Sequence, residues 1–294
     1  MNKSKNNSME FIAKEIRKHD RLNDTESFIG YYREIIDAIV SLSDHLNVYI
    51  SKNKSDELIN VNVYSQAIIS RFLLQSKTLI YLLKGTSLTE SDYYQGVSSI
   101  IDISSVYLIS KSLIESYLNF YYLFNSLKNA EQLELRLQIL KLYDRHQKSS
   151  SDYNNAEIQK LQTGIKAHAE FGNITDLKSK FVSSEEPQSY KSWDNLIELN
   201  EINIKIAKSL HKFYHKLADT NHKSIIETMN IYRNYDDKIS DQVMMVVQNQ
   251  LTVASILVLE YKKLFQVLND NYEEIIDPVT QFKINYWNSM YTGS

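Results

Sequence analysis

Residues 97–127 read VSSIIDISSVYLISKSLIESYLNFYYLFNSL, and this stretch decides the fold. Its apolar residues recur at three- and four-residue steps and cover almost the whole circumference of a helix. A helix that is apolar all round belongs at the centre of a molecule. The segment, taken as about 93–127, is therefore expected to be the long buried helix of an all-α, multi-helix bundle. Its polar residues are not scattered: Ser104, Lys111, Ser112, Glu115, Ser116 and Asn119 fall on one helical stripe. Lys111 and Glu115 form an i,i+4 pair in apolar surroundings. Buried, both charges need partners, because an isolated ion costs several kcal/mol to bury. Such a pair either fixes helix register or forms the inner wall of a cleft.

Helical periodicity continues on both sides. Residues 26–51 place Phe28, Tyr31, Tyr32, Ile35, Ile36, Ile39, Leu42, Leu46 and Tyr49 at helical steps, and a polar break runs from Ser51 to Glu57. A second helix over about 58–84 stops at Gly85, a residue suited to a C-cap of positive φ. Further helices are expected at about 129–148, 153–170, 193–219, 223–234, 238–269 and 279–291. Residues 172–192 hold Gly172, Pro187 and a Ser-Ser-Glu-Glu run without a sustained period, and read as an irregular loop. No internal repeat or domain boundary emerges. The chain reads as a single helical domain, residues 1–294, with its core at about 26–270. The aromatic stripe Phe282, Tyr286, Trp287 and Tyr291 marks residues 279–291 as a helix that docks back on it.

Composition narrows the chemistry. The 294 residues include only six Gly and two Pro, and no Cys. Glycine-rich phosphate loops, many-turned sandwiches, disulfide scaffolds, zinc–thiolate sites and thiol nucleophiles are all excluded. A net charge of −3 gives no global pull toward nucleic acid, although a local basic patch stays open. Met1 to Asn7 is polar and cationic, but no apolar h-region follows, so no signal peptide is expected. The apolar runs 97–127 and 243–259 are interrupted by Lys111 and Glu115, and by Gln248, Asn249 and Gln250. Neither reads as a membrane span, and a soluble, cytoplasmic protein without a cofactor is expected.

Three histidines, His211, His215 and His222, fall near one helical face, with Asp219 and His222 as an acid-x-x-His pair. A di-iron bundle needs two such pairs and two further glutamates, and the chain has no second pair. Lys208, Lys212, Lys216 and Lys223 on the same segment would repel a cation, so a solvated polar face is expected there and no metal.

Two segments resemble an uncharacterised bacterial all-helical family. Lys111-Ser112-Leu113-Ile114-Glu115-Ser116-Tyr117-Leu118, running into Tyr121-Tyr122-Leu123-Phe124, is similar to its central helix, with Lys111 where arginine is usual. Tyr214 to His222 is similar to its Tyr-x-x-Leu-Ser-x-x-x-His segment, with Ala218 in place of serine. The matches cover about 20 residues directly and, in organisation, the span 60–270. That family is in turn distantly similar to HEPN domains, many of which are RNases of prokaryotic toxin–antitoxin and phage-defence systems. The HEPN signature is an arginine followed four to six positions later by histidine, and no arginine here completes it. Arg233-Asn234 fits the front half, but Lys238, Ile239 and Ser240 stand where histidine should fall. Lys216 with His222 keeps the spacing without the guanidinium, which grips phosphate bidentately where an ammonium acts as a point charge.

The resemblance thus implies a HEPN-like protein of a prokaryotic defence or stress system acting on RNA. In a metal-independent endoribonuclease, His222 would be the general base on a ribose 2′-hydroxyl, and Lys216 or Lys111 would steady the phosphate. Glu115 would line the same cleft, with Arg233 and His215 as secondary candidates. The alternative is a catalytically inert helical module that binds a protein partner or regulates an enzyme. Because HEPN-like proteins commonly pair through helices, the resemblance also implies a homodimer.

Overall fold

A computed structural model describes residues 25–53, 56–85, 101–127, 130–148, 159–161, 163–165, 202–223 and 235–290. The fold is all-α, with no strand among the described residues. The helices are α1 (Thr25–Asn53), α2 (Asp56–Leu83), α3 (Ile103–Phe124), α4 (Ala130–Lys148), α5 (Ile202–Lys223) and α6 (Tyr235–Leu264). The short α7 (Gln266–Asp270), α8 (Tyr272–Ile275) and α9 (Pro278–Ser289) follow, and residues 159–161 and 163–165 are helical as well.

The central helix is α3, packed against α2, α4, α5 and α6. Fifteen of its 22 residues are buried, including Leu113, Ile114, Tyr117 and Leu118 at 0 % exposure, which places the middle of the quoted stretch in the core. The helix is shorter than the expected 93–127. Asp102 starts it by accepting hydrogen bonds from the backbone of Ser104 (3.1 Å) and Ser105 (3.3 Å). It stops at Phe124 because Asn125 is extended and Ser126 takes a φ of 52°.

The far end of α3 is closed from outside. Arg136 on α4 donates to the carbonyl oxygens of Tyr122 (3.0 Å), Leu123 (3.1 Å) and Asn125 (2.8 Å). The last carbonyls of a helix lack intrahelical partners, and a guanidinium both hydrogen-bonds them and opposes the helix dipole there.

A buried polar chain ties α1, α2 and α6. The Ser43 hydroxyl donates to Gln66 Oε1 (2.7 Å), and Gln66 Nε2 donates to the Tyr261 hydroxyl (2.8 Å). Tyr32 donates to Ser76 (2.8 Å) on the same α1–α2 seam. Burial pushes the Tyr32 and Tyr261 phenols well above the usual tyrosine range, so they serve as neutral hydrogen-bonding groups.

Several expected boundaries move. The polar break at 51–57 shrinks, since α1 runs to Asn53 and α2 begins at Asp56. Helix α5 runs past the expected end at 219 to Lys223, and residues 193–201 and 224–234, the rest of the two helices expected there, lie outside the described residues. The expected helix 238–269 is broken at Phe265, which is extended (φ −123°, ψ 117°) and inserts its ring into the core. Gly85 adopts a φ of 72° after α2, the left-handed conformation that a C-cap requires. Gly172, Pro187 and the expected loop 172–192 lie outside the described residues, as does most of 153–170.

Contrary to the interrupted pattern read from the sequence, Asp241–Leu264 is long and apolar enough to cross a membrane by length and composition. In the bundle, 78 % of its most apolar window is buried, packed on α1, α3 and α9. Helix α9 brings Trp287 against Phe28 of α1, with ring centroids 5.5 Å apart and nearly perpendicular.

Candidate functional site

The polar stripe of α3 divides between two neighbours. Ser112 and Ser116 turn toward α2, where the Gln75 amide fits between them. With its oxygen toward Ser112 Oγ (2.5 Å) and Arg71 Nε (3.2 Å), its nitrogen donates to Ser116 Oγ (2.9 Å) and Ser112 O (3.2 Å). Lys111 and Glu115 turn toward α5 instead.

Helix α5 buries Ile204, Ala207, His211, Tyr214 and Ala218, spaced three, four, three and four residues apart. His211 therefore occupies a core position, 5 % exposed, and not the solvated face expected of it. Its Nε2 lies 3.1 Å from Glu115 Oε1. Lys111 Nζ is 3.9 Å from the same oxygen, and only 10 % of the Lys111 side chain is exposed. One carboxylate thus serves a buried ammonium and a buried imidazole, while 27 % of its own side chain still reaches solvent. That arrangement compensates the cost of burying the lysine. Nearby, Tyr214 accepts a hydrogen bond from Asn249 of α6 (3.0 Å) and stacks at a tilt on Tyr107 (6.0 Å). Burial raises the Tyr107 phenol to about 12.

A second face of α5, about 120° round from the buried one, is basic. Lys205, Lys208, Lys212 and Lys216 follow at steps of three, four and four, and no acidic residue occurs in the helix before Asp219. At 100° per residue the four lie within about 80° of arc, on a ridge roughly 16 Å long. Lys205, Lys212 and Lys216 are exposed and Lys208 is half-exposed. Phe213 stands beside them, 40 % exposed.

Of the expected site residues, Lys111 and Glu115 are brought together. Helices α3 and α5 run antiparallel, since His211 meets Glu115 while Tyr214 meets Tyr107. His222 lies eleven residues beyond His211, about 16 Å further along the helix and toward the N-terminal end of α3. The rise of the helix thus sets the His222 backbone at a different level from Glu115. Lys111 is committed to Glu115 in the core and is not presented to a surface phosphate. His215 is half-buried and Lys216 is exposed. The side chain of His222, and Arg233 altogether, lie outside the described residues.

Sequence reasoning did not single out His211 as the partner of Glu115, nor Arg136 as the cap of α3. The signal for His211 was present: it is the one basic member of the 204, 207, 211, 214, 218 series. Among the described residues, no group of three His, Asp or Glu side chains gathers as a metal site. An open cleft of about 370 Å³ lies at the other end of α3, lined by Phe120, Phe124, Ser126, Glu260, Lys263 and Phe265 among others. None of the expected site residues lines it. The chain matches no protein-family model, no curated protein and no solved structure.

Proposed function

We propose that this is a HEPN-like helical protein of a prokaryotic defence or stress system, cytoplasmic, that engages RNA along the lysine ridge of α5. The observation that carries this reading is the ridge itself: four lysines at steps of three, four and four residues, no acidic residue in α5 before Asp219, and an exposed aromatic ring beside them. Phosphate chains are bound by such local basic strips whatever the net charge of the molecule, and an exposed ring offers a stacking surface for an unpaired base. Binding without cleavage is favoured because Lys111 and Glu115, two of the candidate catalytic groups, are held together in the α3–α5 seam.

Binding of a fluorescent single-stranded RNA, followed by anisotropy across a salt titration, tests the reading. A ridge that neutralises four phosphates gives a log–log salt slope of roughly −3, and Lys212→Glu with Lys216→Glu should bring it to roughly −1. Unchanged affinity in that double variant would overturn the proposal.

Cleavage is the second reading, and the register of α5 favours it. By helical spacing, positions 215 and 222 both fall at the edge of the face that carries the lysines. A metal-independent RNase with His222 as base and Lys216 on the phosphate predicts RNA cleavage in the presence of chelator that His222→Ala abolishes. If the wild-type chain leaves RNA intact, the inert binding module stands.

A further inference from the structure

The cleft at the C-terminal end of α3 belongs neither to the α3–α5 seam nor to the lysine ridge. Its apolar lining is Phe120, Phe124 and Phe265 with Val61, Leu127 and Leu264. Its charged lining is one pair, Glu260 and Lys263. A volume of about 370 Å³ lies in the range of small-molecule sites, and an apolar lining with a few placed polar groups is their usual make-up. Two interruptions of helix meet at this cleft. Ser126 is the one non-glycine residue of positive φ (52°) among the described residues, and Phe265 breaks the run from α6 to α7 with an extended backbone. A non-glycine residue in the left-handed region costs energy, and such residues gather where ligands are held.

Charge selects what the cleft takes. Helices α3 and α6 both end at it, at Phe124 and Leu264, and a helix C-terminus is the negative end of the helix dipole. Arg136 answers the end of α3. In the last turn of α6, Lys262 lies over the Tyr272 ring at 4.0 Å, and Lys263 Nζ reaches Glu260 Oε1 at 3.1 Å. The two members of that pair differ in burial: 15 % of the Glu260 side chain is exposed, against 63 % of the Lys263 side chain. The lysine can swing into water at little cost, because an exposed ammonium gains little from such a pair. We propose that the cleft binds a primary ammonium carried on a compact apolar body, such as one ring on a short tether. The ligand ammonium takes the place of Lys263 on Glu260, and the ring lies on the apolar lining. A carboxylate ligand would draw Lys263 away and leave the more buried Glu260 without its partner, which is the costlier exchange. The aromatic lining favours the same sign, since ring faces attract cations.

This inference is independent of the RNA reading, since Glu260 and Lys263 lie on α6 and the ridge on α5. The probe is para-fluorophenethylammonium, titrated with the full chain and followed by fluorine NMR. It should bind with a Kd of about 1 mM or tighter, and the matching carboxylate, para-fluorohydrocinnamate, roughly tenfold more weakly or not at all. Glu260→Gln should weaken the ammonium by about tenfold, the loss of one charged partner. Lys263→Met removes the competitor and should tighten binding by roughly threefold or more. Lys262→Met removes the same charge one residue away and should change the affinity less, which separates competition from net charge. Circular dichroism and RNA affinity should stay unchanged in all three variants. No binding of the ammonium to the wild-type chain, equal affinity for the two probes, unchanged affinity in E260Q, or weaker binding in K263M would each overturn the proposal.

Discussion

Glu115 on α3 and His211 on α5 meet at 3.1 Å across the central seam, with Lys111 at 3.9 Å on the same carboxylate oxygen. The carboxylate is the hinge of the group, because it is what lets two basic side chains occupy the core. Glu115→Leu is expected to destabilise the bundle by about 2 kcal/mol, below the roughly 3–5 kcal/mol of a fully buried pair because the carboxylate is partly solvated. Glu115→Gln keeps an acceptor for His211 and should cost less. Urea unfolding of both variants checks the order, and equal losses would mean that the hydrogen bond contributes nothing.

Arg136 reaches three carbonyl oxygens at the end of α3. Arg136→Met should cost roughly 2 kcal/mol, the scale of hydrogen bonds made by a charged group. Arg136→Lys should recover only part of that, since all three bonds come from Nη1 and the shorter lysine side chain does not bring its ammonium as far. Hydrogen exchange at Phe124 and Asn125 should rise more than exchange in the middle of α3. Uniform protection in the Met variant would contradict the cap.

Asp277 begins α9 by accepting from the backbone of Val279 (2.9 Å) and Thr280 (3.0 Å). Burial alone would raise its carboxyl. The Thr280 hydroxyl and backbone, the Val279 backbone and the charge of Lys283 outweigh burial and hold it below its ordinary 3.8. A carboxyl depressed in the folded state contributes stability above its unfolded value, and that contribution is lost as pH falls through the folded value. Asp277→Ala should lower stability by about 1 kcal/mol at neutral pH, as loss of an N-cap does. It should also flatten the acid limb of the melting temperature below about pH 4. An acid limb as steep as wild type would show that other carboxylates set it.

Ser255 is fully buried in α6, and its hydroxyl has no hydrogen-bond partner among the described residues. A hydroxyl buried without a partner costs on the order of 1–3 kcal/mol. Ser255→Ala removes one oxygen and is expected to raise stability by about 1 kcal/mol, read as a higher urea midpoint at unchanged m-value. A lower midpoint would show that the hydroxyl is engaged.

The fold was legible because the apolar pattern of α3 runs through all its faces, which only a central helix can satisfy. The cap at Gly85 was legible for a similar reason, since glycine alone takes a φ of 72° without strain. The break at Phe265 was not. It arises because an aromatic side chain fills the core from an extended backbone, a tertiary effect without a local breaker such as Pro or Gly. For the site, the pairing of Lys111 with Glu115 follows from helix spacing, whereas the choice of His211 depends on which residue of a distant helix lands opposite. The α3 stripe looked like one surface in the sequence. It serves two helices, because Ser116 and Glu115 stand 100° apart and face different neighbours.

The Arg136 side chain that closes α3 stands eleven residues after Asn125 and fourteen after Tyr122, on the helix that follows. A chain that leaves its ribosome N-terminus first exposes the end of α3 before residue 136 has emerged. Until then the last carbonyls of the central helix have only water as partners. The central helix is thus completed by its successor, so a nascent chain cannot finish its core until α4 has been synthesised. Ribosome-stalled chains ending on either side of Arg136 should differ in the protease resistance of α3.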